Sequence, residues 1–520
     1  MLISRATEES SSEEIVNVPS KTLVRLAFFG VIALSAVSLG TSYAASGLGG
    51  TTEELAADRY ESGSEGPVAP PANGVTVIST DSNAWLGEQS DDPRSKAEMM
   101  AFASNGSVLY YNDSHTRYWD VDPVPGTRRT IEYAYADHLN GSACPEVLST
   151  SYYENSAYAN SVNRSVWETY AEAQEPVGAC TRNGIVRANM TTGESTTIYS
   201  AITPGKHSTR WHDADRINDT HVAVADIFLD RAFVVDTRSG NITWQWRATE
   251  AFSPNRSGGP YPGDWTHAND IEVLPDGRLA LDLRNNDRVV FLDPTESPEE
   301  AFQANWTLGA ENVHSILYEQ HNPDYIPLSE GGPALVIGDS ENNRAIEYQR
   351  VNSAASGTPR AGGEAASGSW ERTWSWQDAR MQWTRDADRL ANGHTLLTDS
   401  NGDRVLEVDE RGEVVWSVEV GFPYEAERLG TGDESESGPS ARSAAIASNQ
   451  PDTLETAWLR VKGVLAGPEF QALYYVSPRW MRSTDIAAAL VTGIGALGWI
   501  LTEGWWALSM RARLSQVFAR

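Results

Sequence analysis

The feature that most constrains the fold is a short strand-like motif, Arg followed by alternating apolar residues, that recurs at a nearly fixed interval. Its copies are TRYWDVD from Thr116, DRAFVVD from Asp230, DRVVFLD from Asp287, NRAIEYQ from Asn343 and DRVLEVD from Asp403. The arginines Arg231, Arg288, Arg344 and Arg404 lie 57, 56 and 60 residues apart, and Arg117 precedes Arg231 by 114 residues, or two intervals. A degenerate copy, NGIVRAN from Asn183, falls in that gap and brings the number of copies to six.

Other strand-like runs accompany the motif. THVAVAD and HTLLTDS precede two copies, and a Gly turn leads into GNITWQW and GEVVWSV after two copies. Short strands, about four to each interval, are typical of propeller blades. A β-sandwich also has short strands, but it does not repeat internally at a fixed interval. The sequence therefore predicts an all-β chain built as a six-bladed β-propeller.

Two apolar runs flank the repeats, Leu26 to Ala45 and Ile486 to Met510. Each is long enough to cross a hydrocarbon core of about 30 Å as a helix. Lys21 and Arg25 precede the first run, and arginines follow the second. By the positive-inside tendency both termini are expected in the cytoplasm and the propeller outside the cell. For the first run a cleaved signal peptide is the alternative.

These features divide the chain into eight segments. We expect a cytoplasmic tail at 1–25, a transmembrane helix at 26–46, a linker at 47–74, the propeller at 75–428, a disordered linker at 429–450, a juxtamembrane segment at 451–484, a second transmembrane helix at 485–510 and a basic cytoplasmic tail at 511–520. A Gly, Ser and Ala-rich stretch at 354–369 is expected to be a flexible insertion.

The charge balance argues against nucleic acid as a partner. The formal net charge is −31, and there are only four lysines, at Lys21, Lys96, Lys206 and Lys462. Such a surface repels phosphates and suits a protein that works in concentrated salt, where screening is strong. A salt-adapted, archaeal source is therefore expected, with an ordinary acidic secreted protein as the alternative.

Glycosylation motifs and cysteines agree with an outer location for the middle of the chain. Nine Asn-x-Ser/Thr sequons lie between the apolar runs, at Asn105, Asn112, Asn140, Asn163, Asn189, Asn218, Asn241, Asn255 and Asn305. The two cysteines, Cys144 and Cys180, also lie there and are expected to form a disulfide in an oxidising compartment. Two buried free thiols are the alternative.

Candidate site residues precede the predicted innermost strand of several blades, where propeller loops meet the channel mouth. They are His212, His267, His314, Arg385 and, in the first blade, Glu98. Histidines at one position in consecutive blades suit acid–base or nucleophilic chemistry, while zinc binding is the alternative. The recurring Asp215, Asp270 and Asp388 fit turn or capping residues. The other six histidines, including His321, are interpreted as loop or strand-surface residues.

With these residues the sequence resembles the arylsulfate sulfotransferases (arylsulfotransferases, ASST), and within them a membrane-anchored member of haloarchaeal type. The resemblance covers about residues 75 to 430 and rests on HANDIEVLPDG from His267, RDADRLANGHTLLTDS from Arg385 and the histidine series. It implies a six-bladed propeller that uses no nucleotide sulfate donor. In this family channel histidines and an arginine surround an aryl sulfate, and one histidine carries the sulfuryl group until a phenol removes it.

The resemblance assigns expected roles. The catalytic residues would be His314 as the nucleophile, His267 and His212 as sulfate-binding partners, and Arg284 or Arg385 as the cation. Substrate contacts would come from Asn269, Asp270 and Glu98. No cofactor and no metal are expected, because the sequence contains no phosphate-binding Gly-rich loop. The expected activity is ping-pong transfer from a phenolic sulfate ester to a hydroxyl. The partners are an aryl sulfate, a phenol, membrane lipid and, as a further candidate, surface glycans. A non-catalytic propeller that binds glycan or protein and a propeller hydrolase or lactonase are the alternatives.

Overall fold

In a computed structural model of the chain the propeller is confirmed, with six sheets of antiparallel strands. The structure describes residues 21–47, 56–61, 66–81, 97–144, 149–175, 178–351, 369–449, 453–464, 467–478 and 480–518. The expected insertion at 354–368 and most of the N-terminal tail lie outside the described residues. Two compact units are present, one formed by Met1–Thr51 with Trp480–Arg520 and the other by Thr52–Arg479.

The strands follow one another blade by blade. Blade 1 receives β1 (Val75–Thr80), β2 (Met99–Phe102) and β3 (Val108–Asn112). Blade 2 contains β4 (Arg117–Pro123), β5 (Thr130–Asn140), β6 (Ala179–Asn189) and β7 (Ser195–Pro204). Blade 3 contains β8 (Trp211–Asp213), β9 (Arg216–Asn218), β10 (His221–Asp226), β11 (Arg231–Asp236) and β12 (Asn241–Arg247). Blade 4 contains β13 (Ala268–Val273), β14 (Leu279–Leu283), β15 (Arg288–Leu292) and β16 (Leu308–Gly309). Blade 5 contains β17 (His321–Ile326), β18 (Ala334–Asp339), β19 (Arg344–Arg350) and β20 (Trp370–Trp376), and blade 6 contains β21 (Thr384–Arg389), β22 (Thr395–Asp399), β23 (Arg404–Val408) and β24 (Val414–Glu419).

The last strand closes the ring. Strand β25 (Pro423–Leu429) pairs with β1 over Val75 to Thr80 and becomes the innermost strand of blade 1. This pairing joins the two ends of the propeller through backbone hydrogen bonds, so blade 1 depends on both. Apolar side chains of neighbouring blades fill the spaces between sheets, as in the cluster around Trp246, Trp265 and Leu281, which are fully buried.

The sequence repeat has a local structural cause. In blades 3 to 6 the residue before the motif arginine is Asp230, Asp287, Asn343 or Asp403, and each has a φ between 51° and 54°. Asp and Asn tolerate this left-handed conformation better than most residues, so they suit the turn between the second and third strands. Arg231, Arg344 and Arg404 then pair with Asp226 (2.7 Å), Asp339 (2.6 Å) and Asp399 (2.8 Å) at the end of the preceding strand. The motif therefore closes one hairpin in each of these blades.

One copy of the motif was assigned to the wrong strand. TRYWDVD forms β4, the innermost strand of blade 2, whereas the other copies, including NGIVRAN, form third strands. The third strand of blade 1 is β2, which lacks the motif because its sequence is MMAF. The interval of 114 residues between Arg117 and Arg231 therefore separates an innermost strand from a third strand, and not two equivalent strands.

Blade 2 carries a helical insertion between β5 and β6, with helices α3 (Thr150–Asn155) and α4 (Arg164–Glu172). The disulfide between Cys144 and Cys180 is present and encloses both helices. Trp167 and Tyr158 of the insertion are buried against Phe228 of blade 3, with ring centroids 5.0 Å and 6.1 Å from that residue. The insertion is thus packed onto the propeller.

The segment after the propeller is ordered by packing, and the expected disordered linker at 429–450 is wrong for its described part. Ser435 and Ser440 are fully buried, and α5 (Ala441–Ala444) places Ala441 in the core of blade 5. Its backbone N–H donates to Glu347 Oε2 at 2.9 Å. Helices α6 (Thr453–Val464) and α7 (Pro468–Tyr475) follow. A small helix, α2 (Ala56–Glu61), precedes the first blade.

The other unit consists of α1 (Lys21–Gly47) and α8 (Ser483–Phe518). Both are long and apolar enough to cross a membrane, over Lys21–Ala45 and Ser483–Arg511. Ser35 Oγ lies 2.7 Å from Thr492 Oγ1, and Arg25 pairs with Glu503 farther along α8. The helices are therefore antiparallel, which puts the start of α1 and the end of α8 at one end of the pair.

Candidate active site

Each innermost strand contributes one side chain at an equivalent position near the mouth of the channel. From blade 1 to blade 6 these residues are Tyr424, Trp119, His212, Asn269, His321 and Arg385. Hydrogen bonds between blades show that these six positions are equivalent. In four blades the acidic residue directly after the mouth residue accepts a backbone N–H from the innermost strand of the next blade. The pairs are Glu425 with Val121 N (2.8 Å), Asp120 with Ala214 N (3.3 Å), Asp213 with Ile271 N (2.5 Å) and Asp386 with Ala426 N (3.0 Å).

The repeat motif holds these strands in place. The same Asp and Asn residues that form the left-handed turns accept a backbone N–H from the start of the next innermost strand. The contacts are Asp230 with Thr266 N (2.8 Å), Asp287 with Glu319 N (3.0 Å), Asn343 with Trp383 N (2.9 Å) and Asp403 with Phe422 N (3.3 Å), and Asn183 does the same for Trp211 N (3.1 Å). Each accepted N–H lies one to three residues before a mouth residue. The motif therefore positions the candidate site as well as closing hairpins.

The hydrogen bonds of His321 define its tautomer. Its Nδ1 lies 2.7 Å from Ser340 Oγ, and that hydroxyl donates to the carbonyl of Thr384, also at 2.7 Å. Because a serine hydroxyl has one proton, Ser340 accepts from the imidazole and Nδ1 carries the hydrogen. The lone pair of His321 is then on Nε2. This is the form in which an imidazole acts as a nucleophile.

His267 has an analogous arrangement with a carboxylate. Its Nδ1 lies 2.7 Å from Asp264 Oδ1, three residues earlier, so the carboxylate accepts and Nε2 is again free of its hydrogen. The residue has a φ of 49°, which turns the chain just before β13. A histidine oriented by a carboxylate is a common acid–base unit. The side chain is therefore equipped to transfer protons.

His212 lies between aromatic residues at the centre of the group. Its ring stacks on Trp119 at 4.0 Å between centroids and lies 5.3 Å from the ring of His267. Its Nδ1 is 3.2 Å from the hydroxyl of Tyr424, while Nε2 is buried with no hydrogen-bond partner among the described residues. The ring of Tyr424 is also 6.2 Å from that of His321, so one tyrosine contacts both sides of the site.

Four arginines add positive charge to the mouth. The guanidinium of Arg385 lies 4.2 Å from the ring of Trp383 and 4.6 Å from that of Tyr424, and it shares Asp81 with Arg117. Arg284 pairs with Glu319. Arg210 lies over Trp119 at 5.2 Å and forms no ion pair with the residues that the structure describes. The guanidinium of Arg210 acts electrostatically on His212 and His267, and an arginine without an ion pair at this place favours an anionic ligand.

Burial and this positive charge keep the histidines neutral. Burial, followed by Arg210, holds the pKa of His212 well below 6.5. Burial, followed by Arg385 and Arg284, has the same effect on the pKa of His321. Burial also lowers the pKa of His267, although Asp264 opposes that shift. The imidazoles are therefore available as nucleophiles and bases at neutral pH.

Helix α7 lies close to the mouth. The ring of Tyr475 packs 4.9 Å from Phe422 and 6.5 Å from Trp383. Its pKa is raised first by burial, and its hydroxyl is hydrogen-bonded to Arg117. Gln471 on the same helix accepts from Gln382 Nε2 at 2.8 Å and anchors the helix to blade 6. Helix α7 therefore covers part of the site.

The structure brings together four of the five predicted catalytic residues, His212, His267, Arg284 and Arg385. The exception is His314, which does not lie at the start of an innermost strand. It belongs to the loop before β17, stacks on Tyr318 at 3.7 Å and lies 3.5 Å from Asp287 with 41% of its side chain exposed. The equivalent position of blade 5 belongs to His321. The prediction of His314 for this position is therefore wrong, and the correct residue lies seven residues later in the chain.

The three predicted substrate-contact residues have different surroundings. Asn269 lies at the mouth and donates to Gln320 O at 3.3 Å, with its own oxygen unpartnered. Asp270 is one residue further along β13, among other carboxylates. Glu98 precedes β2 and accepts from Tyr111 at 2.5 Å, so it is not on an innermost strand. Tyr424 occupies the expected place of Glu98, because β25 and not a strand of the first hairpin lines the channel in blade 1.

His321, Tyr424, Asp264 and Arg210 were missed from the sequence. A signal for His321 was present in the spacing, because 212 to 267 is 55 residues and 267 to 321 is 54, whereas 267 to 314 is only 47. No comparable signal existed for Tyr424, because ring closure by β25 is a property of the tertiary fold. Asp264 and Arg210 lie on irregular loops outside the repeat.

Comparison with known families adds one specific match. Residues 209–343 match the family described as Arylsulfotransferase (ASST). That segment contains His212, His267, Arg284 and His321, and it is the part of the chain that is similar to this family. No curated protein matched the chain significantly.

Several solved structures show a low overall similarity to the chain. One is the periplasmic gluconolactonase PpgL of Pseudomonas aeruginosa, with 13% identity, a TM-score of 0.39 and coverage of 69% of this chain and 99% of the other. Another is a putative 6-phosphogluconolactonase of Bacteroides uniformis, with 10% identity, a TM-score of 0.35 and coverage of 68% and 98%. A nidogen/laminin complex gives 12% identity, a TM-score of 0.38 and coverage of 68% and 97%. At these values the likenesses say nothing about activity.

Proposed function

We propose that the protein is an arylsulfotransferase that moves a sulfuryl group from a phenolic sulfate ester to an acceptor hydroxyl through a sulfohistidine on His321, without a nucleotide donor. The observation that carries the proposal is the cluster of three neutral histidines and an unpaired arginine inside the segment that matches the ASST family. The cluster offers both an anion-binding site and a nucleophile.

Charge in the reaction explains why the cluster suits sulfate. A sulfate monoester carries a negative charge, and the leaving phenolate develops another in the transition state. Fixed cations in a water-poor site stabilise such charge without reorganisation. Arg385 and Arg210 would bind the sulfate oxygens, and the second Nδ2 hydrogen of Asn269, the one not directed to Gln320, would donate to them. The whole protein has a formal net charge of −31, so a group of arginines such as the one at the mouth contrasts with its overall charge.

In the first half-reaction His321 Nε2 attacks sulfur. The N–S bond forms as the S–O bond to the aryl group breaks, and the electron pair of that bond leaves with the phenolate. The phenolate leaves as an anion and takes its proton from solvent, because burial keeps His267 neutral at this stage. The Nδ1 hydrogen of His321 remains bonded to Ser340. The products are a sulfohistidine and a phenol.

In the second half-reaction the acceptor hydroxyl attacks the same sulfur. The new S–O bond forms as the N–S bond breaks, and the electron pair returns to His321 Nε2. Neutral His267 takes the hydroxyl proton while Asp264 stabilises the imidazolium, and the proton passes to solvent before the next donor binds. Ping-pong kinetics follow from the covalent intermediate.

We further propose that the propeller lies outside the cell and that both termini are cytoplasmic. The antiparallel helices α1 and α8, the disulfide and the positions of the sequons support this arrangement, since all nine sequon asparagines are exposed or half-buried. An acidic surface of this kind would keep the domain hydrated in high salt and leave surface glycans as one class of acceptor.

A transfer assay tests the activity. Full-length protein in detergent and high salt is mixed with p-nitrophenyl sulfate and phenol, and both nitrophenol and phenyl sulfate are measured. The expected result is equimolar release and transfer, lost in His321→Asn and retained in His314→Asn, the matched control in the neighbouring loop. Release of free sulfate with no phenyl sulfate would indicate a hydrolase, and inactivity towards all aryl sulfates would favour a binding module.

A further inference from the structure

Two rings of carboxylates lie below the mouth of the channel. The first ring follows directly after the mouth residues and consists of Glu425, Asp120, Asp213, Asp270, Asn322 and Asp386. The second ring is two residues further along the same strands and consists of Glu427, Asp122, Asp215, Glu272, Asp324 and Asp388. All twelve side chains are buried, at most 8% exposed, and eleven are carboxylates. The transferase chemistry uses none of them.

Backbone hydrogen bonds account for only part of this charge. Six of the carboxylates accept an N–H from the next blade, for example Asp215 from Val273 at 2.6 Å and Glu272 from Tyr325 at 2.8 Å. Each of these bonds involves only one of the two oxygens of the carboxylate, so the second oxygen takes no part in it. The two arginines with an electrostatic effect on these rings are already paired elsewhere, Arg216 with Glu132 and Arg428 with Glu407.

Two further oxygens lack partners in the first ring. By analogy with the other blades Asp270 would accept an N–H from residue 323, but that residue is proline and has none, so Asp270 Oδ2 is buried and unpartnered. The amide oxygen of Asn322, 4% exposed, is also unpartnered, while its Nδ2 donates to Glu425 at 3.0 Å. Buried polar atoms normally have partners. The Asn322 oxygen belongs to an amide that is bonded to Glu425, so it indicates a ligand beside Glu425 that accepts lone pairs.

The spacing of the carboxylates suits a metal ion. Oxygens of Asp120, Asp122 and Glu425 lie within 4.8 Å of one another, and so do oxygens of Asp324, Asp386 and Asp388. Two oxygens on opposite sides of a calcium ion are separated by about 4.6–5.2 Å, twice the usual Ca–O distance. Calcium accepts carboxylate and amide oxygens in variable geometry, whereas magnesium requires a smaller octahedron.

We propose that the axial channel binds Ca²⁺ at two sites, one formed by Asp120, Asp122 and Glu425 and the other by Asp324, Asp386 and Asp388. An ion at the first site ties the innermost strands of blades 1 and 2 together, and an ion at the second ties those of blades 5 and 6. Both ions neutralise carboxylates beneath the anion site. A cavity of about 440 Å³ is lined by Asp215 and Glu272 of the second ring and by Asp433 and Glu434, so solvent and ions reach the second ring from that side.

The test combines calcium binding with thermal stability of the full-length protein. After treatment with EGTA, the protein is dialysed against Ca²⁺ at constant ionic strength and bound calcium is measured by mass spectrometry. We expect at least one Ca²⁺ per chain and a higher melting temperature with Ca²⁺ than with EGTA. No retained calcium and no shift would overturn the proposal, and so would an equal shift with Mg²⁺ or NaCl, since that result indicates general screening.

Substitutions give a signature that a purely structural role would not produce. Asp122→Asn and Asp388→Asn keep the side-chain shape and remove one charge from each ligand group. In EGTA both variants should melt above the wild type, because they relieve repulsion, and in Ca²⁺ both should melt below it, because they lose ion binding. Glu194→Gln, on the exposed surface, should follow the wild type in both conditions. Variants that melt above the wild type in both conditions would refute the site.

Discussion

Gly338 offers a test of how closely the strands must approach at the candidate site. It lies on β18 directly opposite His321, and a Cβ added there would meet the backbone carbon and oxygen of Arg385 at 2.7 Å. Ordinary contact begins at 3.4 Å, so Gly338→Ala must move the start of β21 by 3.4 − 2.7 = 0.7 Å relative to β18. Overpacking of this kind costs about 1–3 kcal/mol of stability. A displacement near 1 Å at a reacting centre costs about 10–100-fold in rate.

The assay is kcat/KM for transfer from p-nitrophenyl sulfate, measured beside thermal melting. We expect Gly338→Ala to melt as a folded protein at a lower temperature and to lose about 10–100-fold in kcat/KM, or about 1.4–2.7 kcal/mol of transition-state stabilisation. Gly463→Ala is the matched control, because a Cβ there meets nothing within 4 Å. Wild-type kcat/KM in Gly338→Ala would refute the reasoning that the approach of these strands fixes the distance between His321 and Arg385.

Three other predictions follow from the structure. Replacing both Cys144 and Cys180 with Ser opens a loop of 36 residues and should lower the free energy of unfolding in denaturant titrations by about 3–4 kcal/mol, whereas a change below about 1 kcal/mol would contradict it. Because the pKa of His321 in the folded protein lies below 6.5, the unfolded state binds more protons than the folded state when the pH falls through 6.5, and the free energy of unfolding should decrease. For the same reason the acid limb of the kcat/KM profile should lie below pH 6.5. It should move to higher pH in Arg385→Gln, because the guanidinium that lowers the pKa of His321 is removed. An unchanged limb in that variant would argue against the electrostatic cause. Tyr475→Ala should increase the fraction of sulfuryl groups lost to water instead of phenol, with Tyr475→Phe close to wild type, and equal partition in all three would show that α7 does not exclude water.

The period was sufficient to predict a propeller, because blades 3 to 6 repeat one turn that needs Asp or Asn in the left-handed conformation followed by Arg. The predicted number of six blades was right, although it counted TRYWDVD and NGIVRAN as two blades when both belong to blade 2. The apolar helices and the disulfide were equally accessible from the sequence. Closure of blade 1 by β25 was not, since it depends on pairing between strands more than 340 residues apart. That closure also explains the misassignment of Glu98.

Within the site, the residues at repeat positions could be predicted from the sequence. The residues that reach the site from irregular loops could not. His212, His267 and Arg385 stand at or near repeat positions. His321 was obscured because its strand reads His-Asn-Pro-Asp, with a proline that breaks the alternating pattern of a strand. The carboxylate rings were visible in the sequence as alternating acidic residues, but only the ring of blades shows that they face one another.

The most direct test of the account is the site of the sulfuryl group. Protein incubated with an aryl sulfate and no acceptor, then digested and analysed by mass spectrometry at alkaline pH, should carry a mass addition of about 80 Da on the peptide containing His321. The addition should disappear when phenol is supplied and should be present in His314→Asn. An adduct on His267 or on His314, or none in a protein that transfers sulfate, would contradict the central claim that His321 is the covalent carrier.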